Sequence, residues 1–166
     1  LHRNKGLRRY QTYTFDDWLG GFYASPSMQG TRSGLPMAAA WAVMQRLGLD
    51  GYERLTRITI DTSRKIRAGV NAIDGLTIVG KPVAQLMAIT IDDGWHDRLD
   101  IFAIGDALRK RGWYLDRQHR PDSLHGTISN GNAPIADQFL ADLADSVAET
   151  LGETTHDRST SYATLE

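Results

Sequence analysis

The 166-residue chain contains no cysteine, which excludes a disulfide framework and thiolate metal sites and agrees with a reducing compartment. It also lacks an excess of charge: 19 basic and 20 acidic residues are well mixed and leave a formal net charge of −1. No long-range field draws such a chain to nucleic acid or to an anionic membrane, so neither is expected as a partner. No run approaches the ~20 apolar residues that span a bilayer. The basic stretch around Arg3, Lys5, Arg8 and Arg9 is not followed by the apolar core of a signal peptide. A cytoplasmic location is the expectation. The histidines, His2, His96, His119, His125 and His156, never recur three or four residues apart, which argues against a histidine-based zinc site. Neither a Gly-x-Ser-x-Gly elbow nor a Walker loop occurs.

What remains is an ordinary globular composition, with 41% hydrophobic residues, enough for one core, or for a small domain carrying a piece of another. "GLPMAAAWAVMQRLG" predicts a helix with Pro36 in its first turn and Gly48 as its stop. It is apolar almost all round and is therefore expected to be buried. Asp50 and Glu53 have capping-box spacing, and Tyr52, Leu55, Thr59, Thr62, Ile66, Val70 and Ile73 follow at helical intervals up to Gly75. "LTIVG" and "VAQLMAITI" predict neighbouring antiparallel strands. A helix starting near Asp97 or Asp100 is closed by Gly112, and "WYLD" and "LHGTIS" predict two more strands around a polar loop, "RQHRPDS". A last helix, capped by Asn132, Ala133 and Pro134, buries Ile135, Phe139, Leu143, Val147 and Leu151.

This order predicts an α/β fold in two layers, an antiparallel sheet with helices packed on one face. Residues 1–34 stand outside the pattern, 35–50 form a connecting helix, 51–152 the α/β domain and 153–166 a tail whose composition reads as disordered. Leu1 in place of a Met, with no turn or cap signal in "LHRNKGLRRY", leads us to expect a fragment of a longer protein.

The stretch "GGFYASPSMQGTRSG" cannot build a core. It holds four glycines, one arginine and five hydroxyl side chains. Its end, Gly30-Thr31-Arg32-Ser33-Gly34, could expose backbone N–H groups and side-chain donors to an anion, or serve as a plain connector. Tyr23 and Ser25 could donate to a ligand or sit in a half-buried loop. His125, inside an apolar strand, reads as a satisfied sheet histidine, and Arg117, His119 and Arg120 as solvated loop charge. Tyr162, the one aromatic of the polar tail, is either an ordinary tail residue or an anchor holding the tail in a site.

Together, "WLGGFYASPSMQGTRSG", "GLDGYERLT", "RGWYLDRQHRPDSLHGTIS" and "STSYATLE" resemble the C-terminal part of the sphingosine-1-phosphate lyase family. These are pyridoxal-phosphate enzymes of aminotransferase fold type I, related to the group II decarboxylases. The family pattern Gly-Gly-x-Tyr-Ala-Ser-Pro-Thr-x-x-Gly-Ser-Arg-Pro-Gly is kept at Gly20, Gly21, Tyr23, Ala24, Ser25, Pro26, Gly30, Arg32 and Gly34. Thr31 replaces a serine and keeps the hydroxyl, while Ser33 replaces a proline and loosens the backbone.

The resemblance implies pyridoxal 5'-phosphate as cofactor and a homodimer with a shared active site. The implied reaction is retro-aldol cleavage of a phosphorylated long-chain base to a fatty aldehyde and phosphoethanolamine. It assigns the cofactor phosphate to Gly30, Thr31 and Arg32, the lining of the site to Tyr23 and Ser25, and the substrate phosphate to Tyr162. His125 matches a family histidine on the substrate side. The Schiff-base lysine is expected upstream of Leu1, so that Lys5, Lys65, Lys81 and Lys110 do not take its part. Two alternatives stay open: an amino-acid decarboxylase of the same fold acting on tyrosine, aspartate or glutamate, and a non-catalytic dimerisation or binding module.

Overall fold

A computed structural model of the chain describes residues 4–26 and 30–160. The chain divides into two compact units, Leu1–Gly48 and Leu49–Glu166.

The first unit opens with a single 3₁₀ segment, Lys5–Tyr10, whose start is capped by the Asn4 side chain accepting from the Gly6 N–H at 2.8 Å. Two short strands not foreseen in the sequence follow. β1 (Tyr13–Phe15) and β2 (Tyr23–Ser25) pair antiparallel, with Phe15 opposite Tyr23 and Tyr13 opposite Ser25. The loop between them needs its glycine pair. A Cβ at Gly20 would meet the Trp18 ring at 2.4 Å, and Gly21 has φ +85°, a left-handed conformation that favours glycine.

Helix α1 (Leu35–Asn71) runs through both units and is broken at Gly48, where φ is 60° and ψ −175°. Only glycine takes that backbone without strain, which explains the stop expected there. The chain resumes its helix at once, however, and the expected capping box is absent: the Glu53 carboxylate pairs with Arg57 at 2.6 Å, an i,i+4 surface pair. The expectation of a buried first helix is also corrected. Leu35, Met37, Val43 and Met44 are exposed, and Trp41 is 62% exposed. A helix apolar on every side carries more apolar surface than so small a unit can cover.

The second unit is a four-stranded antiparallel sheet in the order β3-β4-β6-β5, built from β3 (Leu76–Ile78), β4 (Leu86–Ile91), β5 (Asp116–Gln118) and β6 (Ser123–Thr127). Register sets one apolar face: Leu76 lies opposite Ile91, and Ile78 and Leu124 flank Ile89. Strand alternation then turns Met87, Ile89, Ile91 and Leu124 to the same side. Against them pack Ile66 and Val70 of α1, Phe102, Ile104 and Leu108 of α2 (Ile101–Lys110), and Phe139, Leu143 and Val147 of α3 (Ala136–Glu149), in one continuous core. The mixed α/β architecture expected from the sequence is present, and the β3 to β4 pairing is as anticipated.

Several boundaries differ. α2 starts at the second of its two expected sites, with Asp100 as N-cap. The strand expected at "WYLD" lies two to three residues later, at Asp116–Gln118, sharing Asp116 with it and running into the supposed polar loop. It is an edge strand, and its polar residues need no apolar partners. Asn132, Ala133 and Pro134 form part of a second 3₁₀ segment, Asn130–Ile135, capped by Ser129, ahead of α3. Ile135 and Leu151, placed at the ends of the expected buried stripe, are 41% and 48% exposed because both fall outside α3. Among the described residues, no helix is long and apolar enough to cross a membrane.

Candidate functional site

The turn at Gly30–Gly34 leads straight into α1. The Gly34 carbonyl accepts the first helical bond, from Ala38 N at 2.9 Å, and Ser33 Oγ accepts from Leu35 N at 3.2 Å. The turn therefore sits at a helix N-terminus, where the helix dipole favours negative charge, although the Leu35 N–H is taken by Ser33 and Pro36 has none. Gly30, Thr31, Arg32, Ser33, Pro36 and Met37 line an open depression there, with no acidic residue among them. Among the described residues, the Arg32 guanidinium and the Thr31 hydroxyl engage no other side chain.

Tyr23 opens β2 with its ring edge-on to Trp18, centroids 6.3 Å apart, and is half-exposed. With Phe15 and Trp18 it lines a small apolar hollow. Ser25, at the other end of the strand, is buried.

His125 belongs to the second unit. His125 lies in β6 opposite Asp116 and Ala88, on the sheet face away from Leu124, and its Nδ1 is 3.8 Å from Asp116 Oδ2. Tyr162 lies outside the described residues. Among those described, no cluster of three or more metal-ligating side chains forms.

The most connected polar cluster was not anticipated from the sequence. Residues 153–160, expected to be disordered, are tied to the second unit as a strap. Asp100 is the hub, with its side chain only 10% exposed. One carboxylate oxygen caps α2 by accepting from Phe102 N at 2.9 Å, and the other accepts from Thr155 N at 3.1 Å and from Arg158 Nη1 at 2.7 Å. The other arm of Arg158 reaches Asp122, and the Arg158 carbonyl oxygen faces His119 Nε2 at 3.1 Å.

Arg117 corrects the expectation of solvated loop charge. It is 14% exposed, pairs with Asp106 and donates to the Asp157 carbonyl at 2.9 Å. The guanidiniums of Arg158 and Arg117 lie 4.4 and 5.2 Å from the centroid of the buried Phe102 ring.

Burial pushes the Asp100 carboxyl up, but the N–H groups of Phe102 and Thr155 together with Arg158 outweigh it and hold the group below the usual aspartate value. Asp157 is lowered chiefly by the hydroxyl and backbone N–H of Ser159. Burial pulls the Arg158 guanidinium down, yet Asp100 and Asp122 carry it above its usual value.

No family model matches the chain. Among solved structures it superposes on a glutamate decarboxylase from Lactobacillus brevis with a TM-score of 0.69 over 89% of this chain and 35% of that one, at 17% identity. At that identity the likeness shows the fold alone: the chain has the architecture of one region of that structure.

Sequence narrows the class. The chain is 38% identical over 147 residues to the sphingosine-1-phosphate lyase of Oryza sativa subsp. japonica, covering 89% of this chain and 26% of that protein. It also matches the solved Burkholderia pseudomallei sphingosine-1-phosphate lyase at 34% identity and a TM-score of 0.75, over 88% of this chain and 32% of that one. A probable L-tyrosine/L-aspartate decarboxylase from Methanothrix thermoacetophila is 32% identical over 84% of this chain and 34% of its own length. The chain belongs to the sphingosine-1-phosphate lyase family, and it spans about a quarter of the length of the curated lyases it matches.

Proposed function

We propose that this chain is one region of a pyridoxal-phosphate-dependent aldehyde-lyase that cleaves a phosphorylated long-chain base to a fatty aldehyde and phosphoethanolamine. The observation that carries the reading is the Gly30–Gly34 turn at the start of α1, in a chain whose sequence falls among the sphingosine-1-phosphate lyases. A hydroxyl, a guanidinium and the positive end of a helix dipole suit a phosphate, and no carboxylate in the depression opposes one. When bound, the cofactor supplies an electron sink for the breaking carbon–carbon bond.

In this reading Thr31 donates its hydroxyl to the cofactor phosphate, with Gly30 and Arg32 supporting the turn. Tyr23 and Ser25 line the site, which is shared across a homodimer. Tyr162 contacts the substrate phosphate, and His125 stands on the substrate side. The lysine that holds the cofactor comes from elsewhere in the enzyme. Lys65, for one, is engaged at 2.7 Å with Asp137. The exposed apolar residues of α1 before Gly48 agree with a region whose surface is covered by more protein.

The decarboxylase match supports a second reading, release of carbon dioxide from an amino acid on the same scaffold. The two separate in one assay, in which the intact enzyme is loaded with pyridoxal phosphate and given sphinganine phosphate or tyrosine, aspartate and glutamate in turn. Fatty aldehyde from the first substrate supports the lyase. Carbon dioxide from an amino acid, with no aldehyde, overturns it.

A further inference from the structure

His119 lies in the turn between β5 and β6, and both of its ring nitrogens face acceptors. Nδ1 is 2.5 Å from Asp122 Oδ1, and Nε2 is 3.1 Å from the Arg158 carbonyl oxygen in the strap. An ionised carboxylate and a carbonyl only accept. A neutral imidazole carries one N–H, so it serves one of these partners and turns a lone pair on the other, whereas the imidazolium serves both.

The contacts close a ring. The Arg158 guanidinium holds Asp122, Asp122 holds His119, and His119 returns to the Arg158 backbone. The proton on His119 therefore acts on the same strap residue from which the ring begins.

The surrounding charges favour the imidazolium. Asp122, ahead of β6, gives one oxygen to His119 and the other to Arg158, whose second arm holds Asp100 at the start of α2. Two carboxylates thus share one guanidinium, and the imidazolium matches the negative charge left over. The other charged neighbours engage one another: Arg117 of β5 pairs with Asp106 of α2 and with Asp157 of the strap, on which Arg109 of α2 also acts. Arg120, next in the chain, is exposed. Phe102 of α2 meets the imidazole with ring centroids 5.5 Å apart. Two further histidines are near the network: His156 belongs to the strap itself, and His96 shares a hollow with Asp100, Asp122 and Arg158.

We propose that His119 is a proton-operated latch for the strap: as the imidazolium it donates to Asp122 and to the Arg158 carbonyl together, and on losing its proton it releases one of the two. The proton passes to solvent, which reaches the ring because the side chain is 42% exposed. Docking of the strap favours the protonated ring. The latch's contribution is therefore present at mildly acidic pH and lost as pH rises through the range in which histidines titrate, about pH 6 to 7. Asp100 and Asp157 act with the opposite sign, since their contribution is lost only as pH falls.

The test follows amide exchange across residues 153–160 in the intact enzyme from about pH 5.5 to about pH 8.5, corrected for the intrinsic pH dependence of exchange. Protection in the parent should fall about two- to fivefold over this interval, a modest step because the ring is partly exposed. His119→Gln and His119→Asn each keep an amide donor but have no proton to lose, so both should remove the step. His156→Gln and His96→Gln should retain it, and α2 and α3 should show no such step in any of these proteins. A flat profile in the parent, a step that survives both His119 variants, or a step shared by α2 and α3 would overturn the proposal. A step that disappears in His156→Gln or His96→Gln instead would assign it to that histidine and overturn the proposal equally.

Discussion

Replacing Asp100 separates the two tasks of one carboxylate. In Asp100→Ala the cap on Phe102 N is lost, a change that costs about 1 kcal/mol in comparable helices. The bond to Thr155 N contributes about another 1 kcal/mol. The pairing with Arg158, discounted because that side chain is 44% exposed, adds about 0.5 to 1 kcal/mol. The sum is a loss of about 2 to 3 kcal/mol, large against ordinary domain stabilities of about 5 to 15 kcal/mol.

Asp100→Asn gives the contrast. Its amide oxygen still caps α2, but the amide nitrogen then faces the Thr155 N–H and the Arg158 guanidinium, donor against donor. The expected loss is about 1 to 2 kcal/mol, all of it from the strap. Urea unfolding followed by circular dichroism gives both values, and amide exchange at Phe102 and Thr155 separates helix from strap. Equal destabilisation by the two variants, or less than about 0.5 kcal/mol for alanine, would refute the shared-carboxylate account, since surface changes normally stay within that range.

The same network sets an acid limit. Asp100 and Asp157 are both held below the ordinary aspartate value of 3.8, so their contribution is complete above it and is lost as pH falls through the depressed values. Exchange protection at Thr155 should therefore hold down to about pH 4 as far as these groups govern it, and collapse below. Protection lost between pH 7 and 5 would point to other groups. Leu124→Ala empties the space between β6 and Gly105, where a Leu124 methyl would lie 2.9 Å from an added Cβ, and should cost about 2 to 5 kcal/mol in denaturant unfolding. A cost under about 1 kcal/mol would mean that the site collapses freely. Thr31→Ala should weaken cofactor retention in the intact enzyme by about 1.5 to 3 kcal/mol, as removal of a hydrogen bond to a charged phosphate does. Unchanged affinity in a spectroscopic titration would reject that contact.

The helices of the second unit were legible because their signals are local. Asp100 is a cap residue, Gly112 has φ +88°, and Ile101, Ile104 and Leu108 recur on one face. β3 and β4 were legible as Val, Ile and Thr runs parted by Gly80, Lys81 and Pro82. β5 was not, because an edge strand of Asp116, Arg117 and Gln118 looks like loop: Arg117 is held by reaching from the sheet to Phe102 and Asp106 on α2, a contact the sequence does not encode. The strap was misread for the same reason. Asp157 and Arg158 are individually unremarkable, and their partners lie 36 to 58 residues away. The helix before Gly48 shows the opposite limit, since its apolar residues record that a surface needs covering and leave open what covers it. For the candidate site, the hydroxyls and glycines of residues 20–34 marked the loop, and the resemblance supplied its chemistry. The helix directly after Gly34 was legible as well; the structure added the Ser33 hydroxyl that accepts from Leu35 N at its start.

The central claim is tested most directly by product analysis. The intact enzyme, reconstituted with pyridoxal phosphate and supplied with sphinganine phosphate, should release a fatty aldehyde and phosphoethanolamine in equal amounts, and Thr31→Ala should lose this turnover together with bound cofactor. A cofactor-loaded enzyme that releases neither product would contradict the account.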